Sequence, residues 1–196
     1  MKYWVIAALA GIGFSSPVSA QSGPPADWSG YYIGVLAGST DDRNEVTDNG
    51  APYDIFDTSG SGAGAYLGYN VQTGAMVYGG ELAYSPWKTD SNDHTVLQRD
   101  YLDLKGRLGY AMGQALFYGV VGYTHGISKE NPANVSEDAT GLNYGLGVEY
   151  QFAQRFTVGA EYLERRLDAD YTDSGFPGYE GDIKSQSVML RIGMKF

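Results

Sequence analysis

The feature that most constrains the fold of this chain is a strict alternation of apolar residues with polar or small ones. Between residues 141 and 152, apolar side chains occupy every second position, with Gly, Asn, Glu and Gln between them. The same period of two returns in residues 102–112 and 187–196. A period of two places successive side chains on opposite faces of a β-strand, whereas an amphipathic helix repeats every ~3.6 residues. The pattern therefore predicts an all-β fold.

Segments with this pattern recur along the chain and are joined by two kinds of connection. The eight predicted strands are 31–39, 63–72, 75–87, 102–112, 115–127, 141–152, 155–167 and 187–196. The connections alternate between tight turns, at 73–74, 113–114 and 153–154, and long polar segments, at 40–62, 88–100, 128–140 and 168–184. This alternation predicts antiparallel, up-and-down hairpins. The pattern leaves open which face of 115–127 is the polar one, because both its faces are mostly apolar.

The polar face of the predicted sheet combines glycine with charges of both signs. Gly weakens an exposed strand, but it suits the crowded interior of a narrow closed barrel. Gly34, Gly109 and Gly145 are examples on this face. The charged residues predicted to line the lumen are Glu81, Asp103, Lys105, Arg107, Glu149, Glu161, Arg165, Arg191 and Lys195. Their near balance of sign predicts a network of buried ion pairs.

The apolar face carries aromatic residues at both of its ends. They are Tyr69, Tyr110, Tyr150, Phe152, Phe156 and Phe196 near the tight turns, and Tyr84, Trp87 and Tyr162 near the long segments. Two aromatic girdles around an apolar band are typical of a membrane β-barrel. A soluble β-sandwich is the alternative, and the glycine-rich polar face disfavours it. We predict an eight-stranded antiparallel up-and-down transmembrane β-barrel over residues 28–196, closed because hydrocarbon offers no hydrogen bonds to a free edge.

The first residues have the pattern of a secretory signal peptide. Lys2 is followed by an apolar stretch, and the small residues Val18 and Ala20 occupy the −3 and −1 positions of a cleavage site. The apolar stretch is shorter than the roughly 20 residues that a spanning helix needs. Residues 1–20 are therefore predicted to be cleaved, and residues 21–27 to form a short leader before the barrel.

Composition excludes several chemistries. The chain has no Cys, which excludes disulfides, thiolate metal sites and thiol nucleophiles. Two His are too few for a His-rich zinc site, and a net charge of −10 disfavours binding to nucleic acid. We predict no catalytic, cofactor-binding or metal-ligating residues.

Three alternatives remain open on this reasoning. His125 and Ser128 form a weak candidate pair for a lipid A-modifying enzyme, because a spacing of three places them on opposite faces of one strand. His94 and His125 are weak candidates for haem binding. The acidic segments 40–62 and 168–184 could bind cations or a cationic partner, although charge also serves to keep exposed loops soluble.

Three segments resemble a known family. Residues 27–34 (DWSGYYIG), 158–163 (VGAEYL) and 191–196 (RIGMKF) resemble the first, seventh and last strands of small alphaproteobacterial outer-membrane β-barrel proteins. These proteins, often called porins, are similar to opacity proteins and to the transmembrane domain of outer membrane protein A. The resemblance implies a Gram-negative outer membrane, periplasmic termini and extracellular long loops.

The resemblance also implies partners and a role. Leu190, Ile192, Met194 and Phe196 match the terminal pattern that the barrel-assembly machinery recognises. Periplasmic chaperones, outer-membrane lipid and lipopolysaccharide are the other partners expected. The expected function is structural, in envelope integrity and surface exposure, with narrow porin-like activity as an addition. The alternative is an adhesin-like or haem-binding surface protein that acts through its acidic loops.

Overall fold

The computed structural model describes residues 26–91, 96–130, 135–170 and 179–196, which form eight β-strands. The strands are β1 (Gly30–Asp48), β2 (Ala51–Thr73), β3 (Met76–Ser91), β4 (Val96–Met112), β5 (Ala115–Glu130), β6 (Val135–Phe152), β7 (Phe156–Asp170) and β8 (Tyr179–Lys195). Each strand pairs antiparallel with its neighbours in the chain, and β1 pairs with β8 to close a barrel. The predicted fold class is confirmed. The predicted signal peptide lies outside the described residues.

The alternation along each strand separates an apolar outer surface from a polar lumen. On β6, Leu146 is 70% exposed on the outside, whereas Asn143 is fully buried inside. Leu104 on β4 and Leu190 on β8 are likewise exposed on the outer surface. The described residues contain no helix long and apolar enough to cross a membrane.

Strand β5, whose facing the sequence left open, has a definite inner and outer face. Leu116 and Tyr118 point into the lumen and are buried, whereas Phe117 and Val121 are exposed on the outer surface. The register with β4 and β6 decides this, because a shift of one residue would turn every side chain to the other face.

The aromatic residues predicted for the girdles lie on the outer surface, with one exception. Tyr84 and Tyr162 are exposed there, but Trp87 is fully buried in the lumen, so its predicted placement is wrong. Trp87 follows Tyr84 by three positions, and an odd spacing places two residues on opposite faces of a strand. Its ring lies against Gly62 on β2, where a Cβ atom would come within 2.9 Å of the indole.

The strands are longer than the alternation predicts, so the long connections are mostly ordered hairpins. Segment 40–62 was expected to be a loop, but β1 and β2 continue through it and meet at Asn49 and Gly50. Both turn residues have positive φ, 48° and 79°, which an Asn-Gly pair adopts readily. Strand pairing requires no apolar side chain, so the backbone ladder continues where the apolar pattern has stopped.

Both chain ends of the described barrel lie with the tight turns at one end, which we call the short-turn end. The opposite end, where β1–β2, β3–β4, β5–β6 and β7–β8 connect, is the long-loop end.

Tyrosine rings fill the space that glycines leave inside the barrel. Gly34 on β1 lies opposite Tyr66 on β2, and a Cβ at Gly34 would be 2.3 Å from the ring. Gly147 and Tyr118 form the same arrangement between β6 and β5, at 2.2 Å. Glycine is required at these two positions because the ring occupies the place of a side chain. The pairs hold the phenol groups in the middle of the lumen.

Candidate functional site in the barrel lumen

Six charged residues form a layer in the middle of the lumen, which we call the central layer. The layer contains three acids and three bases, all buried: Glu81, Lys105, Arg107, Glu149, Glu161 and Arg191. They come from β3, β4, β6, β7 and β8. Each projects inward because it lies at one of the alternate, polar positions of its strand that face the lumen. The six formal charges of the layer cancel.

Each cation of the central layer contacts more than one carboxylate. Lys105 Nζ lies 2.7 Å from Glu81 Oε1 and 2.7 Å from Glu161 Oε1. Arg191 donates hydrogen bonds to Glu81, and its Nη1 lies 2.6 Å from Glu161 Oε2. Arg107 Nη2 lies 2.8 Å from Glu149 Oε2. The shared carboxylates join the three bases into one network, in which each charge has a partner of opposite sign.

Tyrosine rings stack on the arginines of this layer. The guanidinium carbon of Arg107 is 3.7 Å from the centre of the Tyr118 ring, and that of Arg191 is 3.9 Å from the Tyr66 ring. Tyr118 also donates a 2.9 Å hydrogen bond to Glu161. Cation–π contact adds to the ion pairs when both groups are desolvated. The tyrosines therefore pack the layer as well as filling the space beside glycine.

These tyrosines were not among the predicted lumen residues. Tyr66 lies between Gly64 and Gly68, so its parity could have placed it inside. The parity of Tyr118 was open, and only the register of β5 decided its direction.

A second polar layer lies nearer the long-loop end. Arg165 forms a two-pronged contact with Asp103, with Nε–Oδ1 and Nη2–Oδ2 distances of 3.0 and 2.7 Å. Thr124 donates to Asp103 at 2.6 Å, and Arg165 donates to Ser187 Oγ at 2.8 Å. Asp103 and Arg165, both predicted for the lumen network, thus form a separate pair above the central layer.

A third buried polar layer lies nearest the long-loop end. Arg99 donates to Asp42 at 3.2 Å and to Asn44 at 2.8 Å, while Thr40 donates to Asp42 at 2.9 Å. The alternation did not predict these residues for the lumen, because they fall in the polar segments 40–62 and 88–100. Their inward direction follows from the extension of β1 and β4 past the apolar band.

Lys195, the remaining predicted lumen cation, does not join the central layer. It lies at the short-turn end, where its Nζ donates to the backbone carbonyl of Asp27 and lies 3.4 Å from the Asp27 carboxylate. The backbone N–H of Ser29 donates to the same carboxylate at 2.9 Å. That hydrogen bond, with a weaker attraction from Lys195, holds the pKa of Asp27 below its usual range.

The segment before β1 crosses the short-turn mouth of the lumen. The Ala26 N–H donates to the carbonyl of Gly113, and the Trp28 N–H donates to Gln72 Oε1 at 2.7 Å. Trp28 is only 3% exposed. A cavity of about 20 Å³ lies beneath it, bordered by Glu149 and other polar residues, and has room for about one water molecule. The segment therefore caps the lumen.

The residues of the predicted assembly signal lie on one outer face of β8. Leu190, Ile192 and Phe196 are exposed, and Met194 is partly so. The Phe196 N–H donates to the carbonyl of Tyr31 at 2.9 Å, which ties the chain end to β1.

The candidate residues for other chemistries are not brought together by the described part of the fold. His125 points outward from β5, opposite Leu102 and Thr140. His94 and the side chain of Ser128 lie outside the described residues. Among the residues the structure describes, no group of three or more His, Asp or Glu side chains is arranged to hold a metal ion.

The sequence is similar to a protein family and to individual outer-membrane proteins. The profile of a family described as "Outer membrane protein beta-barrel domain" matches residues 6–196. The "22 kDa outer membrane protein" of Rhizobium leguminosarum bv. viciae is 30% identical over 177 residues, which cover 88% of this chain and 80% of the relative. The "25 kDa outer-membrane immunogenic protein" of Brucella abortus is 26% identical over 199 residues, covering 92% and 84% of the two chains.

Two solved structures share the fold at low sequence identity. The outer membrane protein OprG of Pseudomonas aeruginosa has a TM-score of 0.59 and 14% identity, with 87% of this chain and 98% of that chain covered. Neisserial surface protein A has a TM-score of 0.59 and 12% identity, with 86% and 98% covered.

Proposed function

The chain belongs to the outer membrane protein beta-barrel domain family, and from that membership we propose a structural outer-membrane barrel whose lumen is closed to solutes. The observation that supports this proposal is the central layer, where six buried charged side chains form ion pairs with one another in the middle of the lumen. An eight-stranded barrel is just wide enough for its side chains to fill it. The fill stabilises the barrel from inside and blocks a continuous water path.

Further closures lie on both sides of the central layer. The Asp103–Arg165 pair and the Arg99 group lie toward the long-loop end, and Trp28 lies across the short-turn end. A solute would have to displace ion pairs that are already neutralised, and unpaired buried charges cost several kcal/mol. Porin-like conductance is therefore absent or slow on this proposal.

We propose the periplasm as the location of the short-turn end and the cell exterior as that of the long-loop end. Bacterial barrels with an even number of strands commonly place their tight turns and termini together in the periplasm. The same reasoning assigns recognition by the barrel-assembly machinery to Leu190, Ile192, Met194 and Phe196. These residues are presented together on the outer face of β8.

Conductance in a planar lipid bilayer tests the closed lumen. Residues 21–196 are refolded, their compact form is checked by gel mobility without heating, and current is recorded at fixed voltage. The parent is expected to be silent. Trp28→Ala is also expected to be silent, because removal of the cap leaves the central layer in place. Discrete and reproducible current steps from the folded parent would refute the proposal.

A second candidate function is binding at the cell surface through the hairpin of β1 and β2. Tyr53 and Ile55 are exposed near its tip, 66% and 55%, well beyond the long-loop aromatic girdle. Exposed apolar side chains at such a site are available to a partner protein. Comparing host-surface binding by cells carrying the parent or Tyr53→Ser/Ile55→Ser tests this candidate, and equal binding would dismiss it.

A further inference from the structure

A row of three cations crosses the outer surface of the barrel near the long-loop end. Arg43 on β1 is directly opposite Lys184 on β8, which is directly opposite Arg166 on β7. The Arg43 and Arg166 side chains are 53% and 60% exposed, and Lys184 is exposed. Like charges at directly opposed positions of a sheet repel one another. An anion held beside the row would offset this repulsion.

The salt bridges of the two arginines use their Nε atoms, and the Arg166 guanidinium also lies 5.5 Å from the centre of the Tyr144 ring. Arg43 contacts Glu45 through Nε at 3.1 Å, and Arg166 contacts Glu164 through Nε at 3.0 Å. The paired Nη groups of a guanidinium form a planar fork that suits phosphate oxygens. Each arginine can therefore keep its carboxylate and still bind a phosphate.

The row lies at the level where lipid headgroups begin. On β7 the outward positions run from Tyr162 in the girdle through Glu164 to Arg166, and on β8 Lys184 is aligned with Arg166. Four residues along a strand tilted by ~40° correspond to about 10 Å along the barrel axis. Aromatic girdles mark the membrane interface, and the polar headgroup region extends several ångströms beyond the hydrocarbon. Arg166 and Lys184 therefore fall at the expected height of lipid phosphates.

Acidic residues flank the row, and Asp57 on β2 lies directly opposite Arg43 at one end of it. Farther out, Glu45 is opposite Asp182, which is opposite Asp168. These carboxylates repel a free anion that approaches from solution, whereas lipid phosphates reach the row from the side of the membrane.

The adjoining rows provide a shallow polar surface beside the cations. On the membrane side, Gln186 separates Asp41 from Glu164, and Glu164 is already bonded to Tyr144 and Arg166. A polar hollow of about 450 Å³ adjoins the row, and its lining includes Arg43 and Lys184 together with the carboxylates Asp41, Asp42 and Asp57.

We propose that Arg166 and Lys184, with Arg43 beside them, bind the phosphate groups of outer-leaflet lipopolysaccharide against the outer wall of the barrel. This proposal rests on the orientation given under the proposed function, in which the long-loop end is extracellular. It does not depend on whether the lumen conducts. The site fixes one sector of the barrel, formed by β7, β8 and β1, to the surrounding lipid.

Lipid retention by the purified mature barrel tests the site. The folded protein in detergent is incubated with bisphosphorylated lipid A or with the same lipid stripped of phosphate, and bound lipid is counted by native mass spectrometry. Arg166→Gln/Lys184→Gln is compared with Lys88→Gln/Arg155→Gln, which also removes two exposed cations, one on β3 and one at the opposite, short-turn end of the barrel. Gel mobility without heating verifies folding of each variant.

The parent and the control variant are expected to retain the phosphorylated lipid, and the test variant to retain it ~10–30-fold more weakly. The site would be overturned if the test variant retained the phosphorylated lipid as well as the parent, or if the control variant lost as much as the test variant. Binding of the dephosphorylated lipid as strong as that of the phosphorylated lipid would also overturn it. Surface labelling of Tyr53→Cys in intact cells tests the orientation separately. Labelling only after the outer membrane is opened would overturn the extracellular assignment, and with it the lipopolysaccharide of the outer leaflet as partner.

Discussion

Replacing Arg191 by Met is expected to destabilise the barrel strongly, because Arg191 is the most connected cation of the central layer. It bonds to Glu81 and Glu161, lies 3.4 Å from Glu149, and stacks on Tyr66. Met keeps most of the volume of the side chain but none of its charge. The three acids of the layer would then face only two bases.

The magnitude follows from the distances in the layer. Two unit charges about 3 Å apart attract by about 5 kcal/mol at an effective dielectric constant of 20. Most of this gain offsets the desolvation of the ions, so an intact pair adds little net stability. Removing one partner leaves its carboxylates desolvated and uncompensated, which costs about 3–5 kcal/mol. We expect Arg191→Met to lower the free energy of unfolding by this amount.

Urea unfolding of the barrel in lipid vesicles measures the effect, with tryptophan fluorescence and gel mobility as two independent probes. Arg43→Met is the matched control, because its contact with Glu45 lies on the exposed outer surface. An exposed ion pair contributes less than about 1 kcal/mol, so the control should unfold almost as the parent does. The double variant Arg191→Met/Glu161→Gln restores neutrality and should recover part of the loss.

A loss no greater than that of Arg43→Met would refute the reasoning. Such a result would mean that water enters the lumen and solvates the carboxylates, so that the layer is wet and not a closed network. Absence of any recovery in the double variant would show that packing around Arg191, and not charge balance, determines the effect.

Two further changes test the facing of the strands and the chain end. Val148→Arg places a charge on the lipid side and should cost about 2–4 kcal/mol near the bilayer midplane, whereas Gly147→Arg acts by steric conflict with the Tyr118 ring inside the lumen. Unfolding in vesicles measures both, and a parent-like Val148→Arg would contradict the assigned outer face. Deletion of Phe196 should reduce insertion into the outer membrane of cells without preventing refolding in detergent. Heat-modifiable mobility of cell-envelope protein measures this, and undiminished insertion would argue against a terminal assembly signal.

Two residues of the central layer illustrate what the parity of a strand predicts. Glu149 and Arg191 were assigned to the lumen by parity alone, and the structure buries both. Parity is sufficient because a strand has a period of two, so one apolar outer face fixes the direction of every other side chain. Trp87 obeys the same rule. It lies three positions after the outward-facing Tyr84, so parity places it in the lumen.

Other parts of the fold depend on pairing between strands, which the pattern of one strand does not show. The apolar pattern ends near residue 39, yet β1 continues to Asp48 because its backbone pairs with β2 and β8 there. Hydrogen bonding to a neighbouring strand requires no apolar side chain, so its extent leaves no periodic signal. For the same reason Asp42, inside the extended barrel, was taken for a loop residue.

The sequence by itself determined that this chain is an all-β barrel with an apolar outside, because the alternation is a local property and hydrocarbon allows a sheet only one topology, the closed one. The tertiary structure decided which charges meet. Lys105 and Glu161 are 56 positions apart in the chain, and the closure of the sheet and its register bring their side chains to 2.7 Å. The same register separated Asp103 and Arg165 from the central layer and left Lys195 at the mouth with Asp27. Parity gives direction but not height along the barrel, and height decides which ions become partners.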